Sequence, residues 1–233
     1  MTCSKINSSI SFYLYFSIVV SCISLISCQH PLVYHWVELE LQGKAEALNT
    51  ELAARPAVNK IAANVTFSTE DTQEAMRQGS TPDYHGAPFQ LIYPAKRMLQ
   101  LAGDATKHRW FAEPKSNRNT IDVSAQIEDL YYHVITDIGV ARALVSVRLH
   151  VQVISGQKQL LNNKYNSGKQ YGVYFKTRGW ELIGNSKEYE THYSRTVYKA
   201  LLVALDQAML DVSRIIMSEP ISRISNESSG QSP

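Results

Sequence analysis

Cysteine is almost missing from this chain. Its three copies, Cys3, Cys22 and Cys28, all fall within the first 28 of 233 residues. Nothing after Cys28 can close a disulfide or offer a thiolate to a metal or a substrate. Acidic residues are missing from the start, the first being Glu38. Several short catalytic patterns are missing too: the G-x-S-x-G elbow, a glycine-rich phosphate loop and H-E-x-x-H. Excess charge of either sign is also lacking. With 23 basic and 21 acidic residues the net charge is +2, a poor signature for binding a phosphate backbone, which calls for a basic patch. No nucleic-acid partner, cofactor or metal site is therefore expected. What the chain does have is ordinary globular composition, 44% hydrophobic and 19% charged, with enough residues after Cys28 to bury a core without disulfides.

The acid-free start has its own pattern. From Ile10 to Ile26 almost every residue is apolar or small, and Lys5 with the amino terminus gives a positive flank. That is the layout of a secretory signal. The competing reading is a membrane anchor. The run of about 17 residues lies at the short edge of what spans a bilayer, and no Lys/Arg cluster follows as a stop-transfer flank.

Leu25-Ile26-Ser27-Cys28 closes this segment and resembles a bacterial lipobox: Leu25 three residues before cleavage, an apolar Ile26, a small Ser27 and the required Cys28. The resemblance implies thioether lipidation of Cys28, cleavage before it and N-acylation. Several acyl chains give stable anchoring where one is marginal. Val19-Val20-Ser21-Cys22 is a weaker competitor, because it would leave Ile23, Leu25 and Ile26 exposed on the mature end. Gln29, rather than Asp, follows Cys28, which by the usual sorting pattern implies the outer membrane. The expected organisation is a signal peptide over 1–27, one α+β domain over 28–217 and a Ser-rich disordered tail over 218–233.

Along the mature chain, Pro31 to Leu41 predicts a strand, with Val37, Leu39 and Leu41 alternating against Glu38 and Glu40. Lys44 to Arg55 predicts a short helix stopped by Pro56. Lys60 to Phe67 predicts a second strand, and polar Ser68 to Pro88 a long loop. Phe89 to Tyr93 is ambiguous. Pro94 to Ala102 predicts a helix with proline at its start and Gly103 just past its end. His108 to Ala112 is a further strand candidate.

The second half is clearer. Ile121, Val123, Ala125 and Ile127 alternate with polar residues, then parity flips to Leu130, Tyr132 and Val134. The flip predicts a β-bulge near Asp129, since one extra residue reverses the faces. Val145, Val147, Leu149, Val151 and Val153 predict a half-buried antiparallel strand. Ser155-Gly156 is a turn, and Lys158 to Tyr165 a polar return at an edge. Tyr171, Val173 and Phe175 alternate once more. Asn185 and Glu188 resemble a capping box ahead of a helix over Lys187 to Met217. Its apolar arc is Tyr193, Val197, Leu201, Leu205, Met209, Val212 and Ile216, with Arg195, Lys199, Asp206, Gln207 and Arg214 opposite. Val203, Leu210 and Met217 interrupt the polar side at heptad spacing. They are covered by another part of the domain or form a partner-binding strip. The expected fold is α+β: an antiparallel sheet of about four to five strands, covered by the long C-terminal helix and a shorter one.

This order of elements behind a lipobox, carried by Thr120 to Val134, Ala143 to Tyr165 and Tyr189 to Ile216, resembles the YajG-like family of small periplasmic lipoproteins. It is similar also to the auxiliary lipoproteins of ABC-type lipid transport systems. The resemblance implies a context in envelope assembly or lipid transport.

Few residues suggest reaction chemistry. The seven histidines are scattered, and His150 sits on the polar side of a strand. Glu128 and Asp129 could act as paired carboxylates only if the bulge turned them to one face. Asp83-Tyr84-His85-Gly86 reads as turn chemistry. Tyr165, Tyr171 and Tyr174 either stack on a ligand or form the wet face of a sheet. The leading expectation is a non-enzymatic lipoprotein on the periplasmic face of the outer membrane, held by Cys28 and binding an envelope protein. A lipid- or glycan-binding module and a periplasmic hydrolase with an unrecognised site are the alternatives.

Overall fold

The computed structural model describes residues 32–35, 50–56, 58–70, 75–80, 88–114, 120–176 and 186–218. The lipobox, the 83–86 turn and Asn185 lie outside these residues, as does the 36–41 part of the first predicted strand.

Two long strands, β7 (Ile121–Asp137) and β8 (Val140–Ser155), anchor the architecture. Before them, in chain order, come β1 (Leu32–His35), β2 (Ile61–Ala62), β3 (Val65–Thr69), β4 (Ala75–Ser80), β5 (Pro88–Tyr93), helix α1 (Ala95–Trp110) and β6 (Phe111–Ala112). After them come β9 (Lys158–Asn166), β10 (Gln170–Tyr171), β11 (Phe175–Lys176) and helix α2 (Ser186–Ser218). Residues 50–53 form one helical turn of the predicted 44–55 helix.

β7 and β8 pair antiparallel from Ile121↔Ser155 to Asp137↔Val140, joined by the turn Ile138-Gly139. Gly139 has φ 71°, a left-handed conformation that costs glycine nothing. The register shifts once, between Ile127 and Asp129, where the parity flip predicts a bulge. β9, β10 and β11 all pair with the far side of β8, so they form one edge interrupted at 167–169 and 172–174.

The predicted purely antiparallel sheet is corrected. β3 pairs parallel to β7, Val65↔Ile121 through Thr69↔Ala125, so the main sheet is mixed. Parallel neighbours need a long crossover, usually helical, and the chain between β3 and β7 supplies one in α1. A second sheet, in the order β1-β5-β4, is also mixed, with β1 parallel to β5. β4 lies inside the segment predicted to be a loop. Its Gly79 and polar Arg77, Gln78 and Ser80 hide it from any alternation pattern, and it exists by pairing with β5.

The first long helix is corrected as well. It does not stop before Gly103 but continues to Trp110, leaving only Phe111–Ala112 of the predicted 108–112 strand. Glycine usually costs a helix interior about 1 kcal/mol. Here a side chain at 103 would overlap the ring of Phe67, so the glycine lets α1 sit directly on β3.

One face of the main sheet is covered. Val145, Val147, Leu149, Val151 and Val153 point inward and are buried. Every member of the predicted apolar arc of α2, from Tyr193 to Ile216, is buried with them. Each such side chain, fully buried, contributes roughly 1.5–3 kcal/mol.

Strand and helix directions fix which end of the domain each element reaches. β3 is parallel to β7, so its Thr69 end points towards the Ile138-Gly139 turn. α1 runs the opposite way: Gln100 Nε2 donates to the Phe67 carbonyl, whereas Phe111 pairs with Ile61. Ala95, and Tyr93 before it, therefore lie nearer the turn than Phe111 does. α2 starts at the turn end, with His192 stacked on Phe175 (centroids 4.5 Å apart), which pairs with Ala141.

Candidate functional site

The other face of the main sheet has neither helix packed on it, and the even-numbered residues of β8 build it. It divides into a charged half and an aromatic half. In the charged half the bulge decides the chemistry. Both Glu128 and Asp129 turn towards Arg148: Glu128 Oε2 lies 3.7 Å from Nε and Asp129 Oδ2 3.3 Å from Nη2. Lys164 on β9 reaches Glu128 Oε1 at 2.6 Å. That hydrogen bond, reinforced by the nearby cations, holds the Glu128 carboxyl below the usual carboxylate range. The bulge thus brings the two carboxylates to one face, yet arginine and lysine engage both. Glu128, held ionised in this way, is a poor proton donor. His150 bonds the Asn162 side chain on β9.

The aromatic half lies nearer the Ile138-Gly139 turn. Arg142, opposite Ile135, is clasped between Tyr171 and Tyr174, its guanidinium carbon 4.5 and 4.6 Å from the two ring centroids. Its Nε is buried and makes no hydrogen bond, and it pairs with no carboxylate among the described residues. Tyr171 is exposed there, and Tyr131, opposite Ser146, is exposed further from the turn. At the rim, Ile138 is 98% exposed, Val173 75% and Tyr174 51%.

The three tyrosines singled out in the sequence do not cluster. Tyr165 faces inward, opposite Leu149, and its hydroxyl donates to Asp211 on α2 at 3.0 Å. Burial and that carboxylate push the phenol up to about 12. The break at 167–169 separates it from Tyr171 and Tyr174.

Of the strip on α2, Val203 and Leu210 are half-buried and Met217 is 66% exposed. Between Val203 and Leu210, on the same side of the helix, Asp206 accepts hydrogen bonds from Arg55 Nη1 at 2.8 Å and Trp110 Nε1 at 2.7 Å. Arg109 Nε lies 3.2 Å away. The helical turn before Pro56 and the end of α1 therefore lie over this side of α2.

Sequence reasoning missed Asp206 as a junction, because its partners stand 96 to 151 positions away. It also missed Arg142 and Ile138. A signal existed for Ile138, since Asp137-Ile138-Gly139 between two alternating runs reads as a hairpin turn with an apolar tip.

Among the described residues no group of three or more His, Cys, Asp or Glu side chains could hold a metal, and no helix is long and apolar enough to cross a membrane. Neither protein-family models nor curated protein sequences give a match to this chain.

Proposed function

We propose that this chain is a non-enzymatic envelope lipoprotein, acylated on Cys28, held on the periplasmic face of the outer membrane and acting by presenting its domain to an envelope protein partner. The observation that carries the reading is the apolar, acid-free segment ending in Leu25-Ile26-Ser27-Cys28. Acylation would consume the last cysteine, which fits a mature chain with no other thiol. A sheet with one face free of the described helices supports the presentation part of the reading. The resemblance to YajG-like and ABC-associated lipoproteins adds envelope assembly or lipid transport as the setting. Membrane fractionation of a Cys28→Ser variant is the test. Loss of the protein from the membrane fraction supports the reading, and unchanged membrane association overturns it.

A further inference from the structure

We infer that the end of the domain carrying the Ile138-Gly139 turn docks onto the surface of the lipid bilayer, with Ile138 and Val173 entering the interface and Arg142 meeting anionic headgroups. The inference rests on the lipid-anchor reading and adds an orientation to it.

Two observations converge. First, a tight hairpin turn normally carries Gly, Asn or Asp. Here Asp137 Oδ1 accepts from the Ile138 amide and Gly139 takes the positive φ, so the turn needs no isoleucine. Yet Ile138 holds its side chain 98% exposed. Val173, 75% exposed, sits on the neighbouring edge between residues that pair with β8 near the same turn.

Second, the surroundings have the composition of a membrane interface. Tyr171 and Tyr174 flank the tip, and tyrosine favours the headgroup level because one end is apolar and the other wet. Arg142 between them has no carboxylate partner among the described residues and is held rigidly by two rings. Lys176, opposite Val140, adds a second cation. Among the described residues the acidic groups at this end are Asp137, whose side chain is occupied by the Ile138 amide, and Glu190 at the start of α2. Cations beside exposed apolar groups suit a surface with phosphate outside and hydrocarbon beneath.

The mature chain has no cysteine besides Cys28, so single-cysteine spin labelling is selective. Ile138→Cys, Val173→Cys and, at the opposite hairpin, Gln157→Cys are expressed in full, purified from membranes and placed in vesicles of phosphatidylethanolamine and phosphatidylglycerol. Collision with oxygen relative to a water-soluble nickel complex is then read for each label. The expected result is a severalfold higher ratio at 138 and 173 than at 157. Equal, aqueous ratios at all three positions in acylated, vesicle-bound protein overturn the inference while leaving the anchor reading intact. A label at 138 that is aqueous in vesicles but shielded in native envelopes assigns the tip to a protein partner and also overturns it. Protein that lacks the acyl mass fails the anchor reading itself, and the inference falls with it. Since Ile138 and Val173 are exposed, these substitutions leave the core untouched.

Discussion

The ring of Phe67 occupies the space that a Cβ on residue 103 would need. This one relationship lets α1 lie flat on β3 and run unbroken past a glycine that in sequence reads as a stop. It also sets the sign of a substitution. Gly103→Ala gains about 1 kcal/mol of helix propensity. Overpacking a buried aromatic costs about 1–3 kcal/mol, and the overlap here is severe. Chemical denaturation should show Gly103→Ala less stable than the parent, whereas an alanine at an exposed helical position would be neutral or stabilising.

Asp206 joins α2 to the end of α1 and to the turn before Pro56. Asp206→Ala leaves Arg55 Nη1, Arg109 Nε and the Trp110 indole without this acceptor, while Arg109 keeps the Leu52 and Pro56 carbonyls. The expected loss is about 2–3 kcal/mol, below the roughly 3–5 kcal/mol of a fully buried pair, because Asp206 keeps 20% of its side chain exposed. Denaturant unfolding measures it, and the change in Trp110 fluorescence reports the junction directly.

The Tyr165–Asp211 bond gives the domain an alkaline weakness. The folded-state phenol is raised from 10 to about 12, so its contribution is fully present below pH 10. It is lost as pH rises from 10 to about 12. Burial raises Tyr198 still further, adding to the same slope. Tyr165→Phe should cost about 1 kcal/mol at neutral pH and show a shallower loss of stability over pH 10–12 than the parent. Thermal melts across that range compare the two.

The heptad strip on α2 separates into two behaviours. Val203 and Leu210 flank Asp206, and a charge at either, as in Val203→Asp, should destabilise the domain by about 1–3 kcal/mol. Met217→Glu, at an exposed position near the helix end, should stay within about 0.5 kcal/mol. A folded, equally stable Val203→Asp/Leu210→Asp variant that loses a co-purifying protein would instead make the strip a partner surface.

Local pattern carried much of this fold. The alternation of β7 and β8, the bulge at Asp129 and the apolar arc of α2 were all legible, because each is written in residues close together in sequence. The parallel β3–β7 pairing, strand β4 and the passage of α1 through Gly103 were not. Each depends on a distant partner: β3 on β7, β4 on β5, Gly103 on Phe67. The clasp of Tyr171 and Tyr174 around Arg142 belongs to the same class, since only the pairing of β10 and β11 with β8 brings the three together. The proposed role of Cys28, outside the described residues, rests on the sequence alone.

The most direct measurement of the central claim is the mass of the amino-terminal peptide of the protein isolated from its native membranes. The expected product is a chain that begins at Cys28 and carries a thioether-linked diacylglycerol with an acylated amino group. A mature chain that begins elsewhere, or a Cys28 that alkylates as a free thiol, would contradict it.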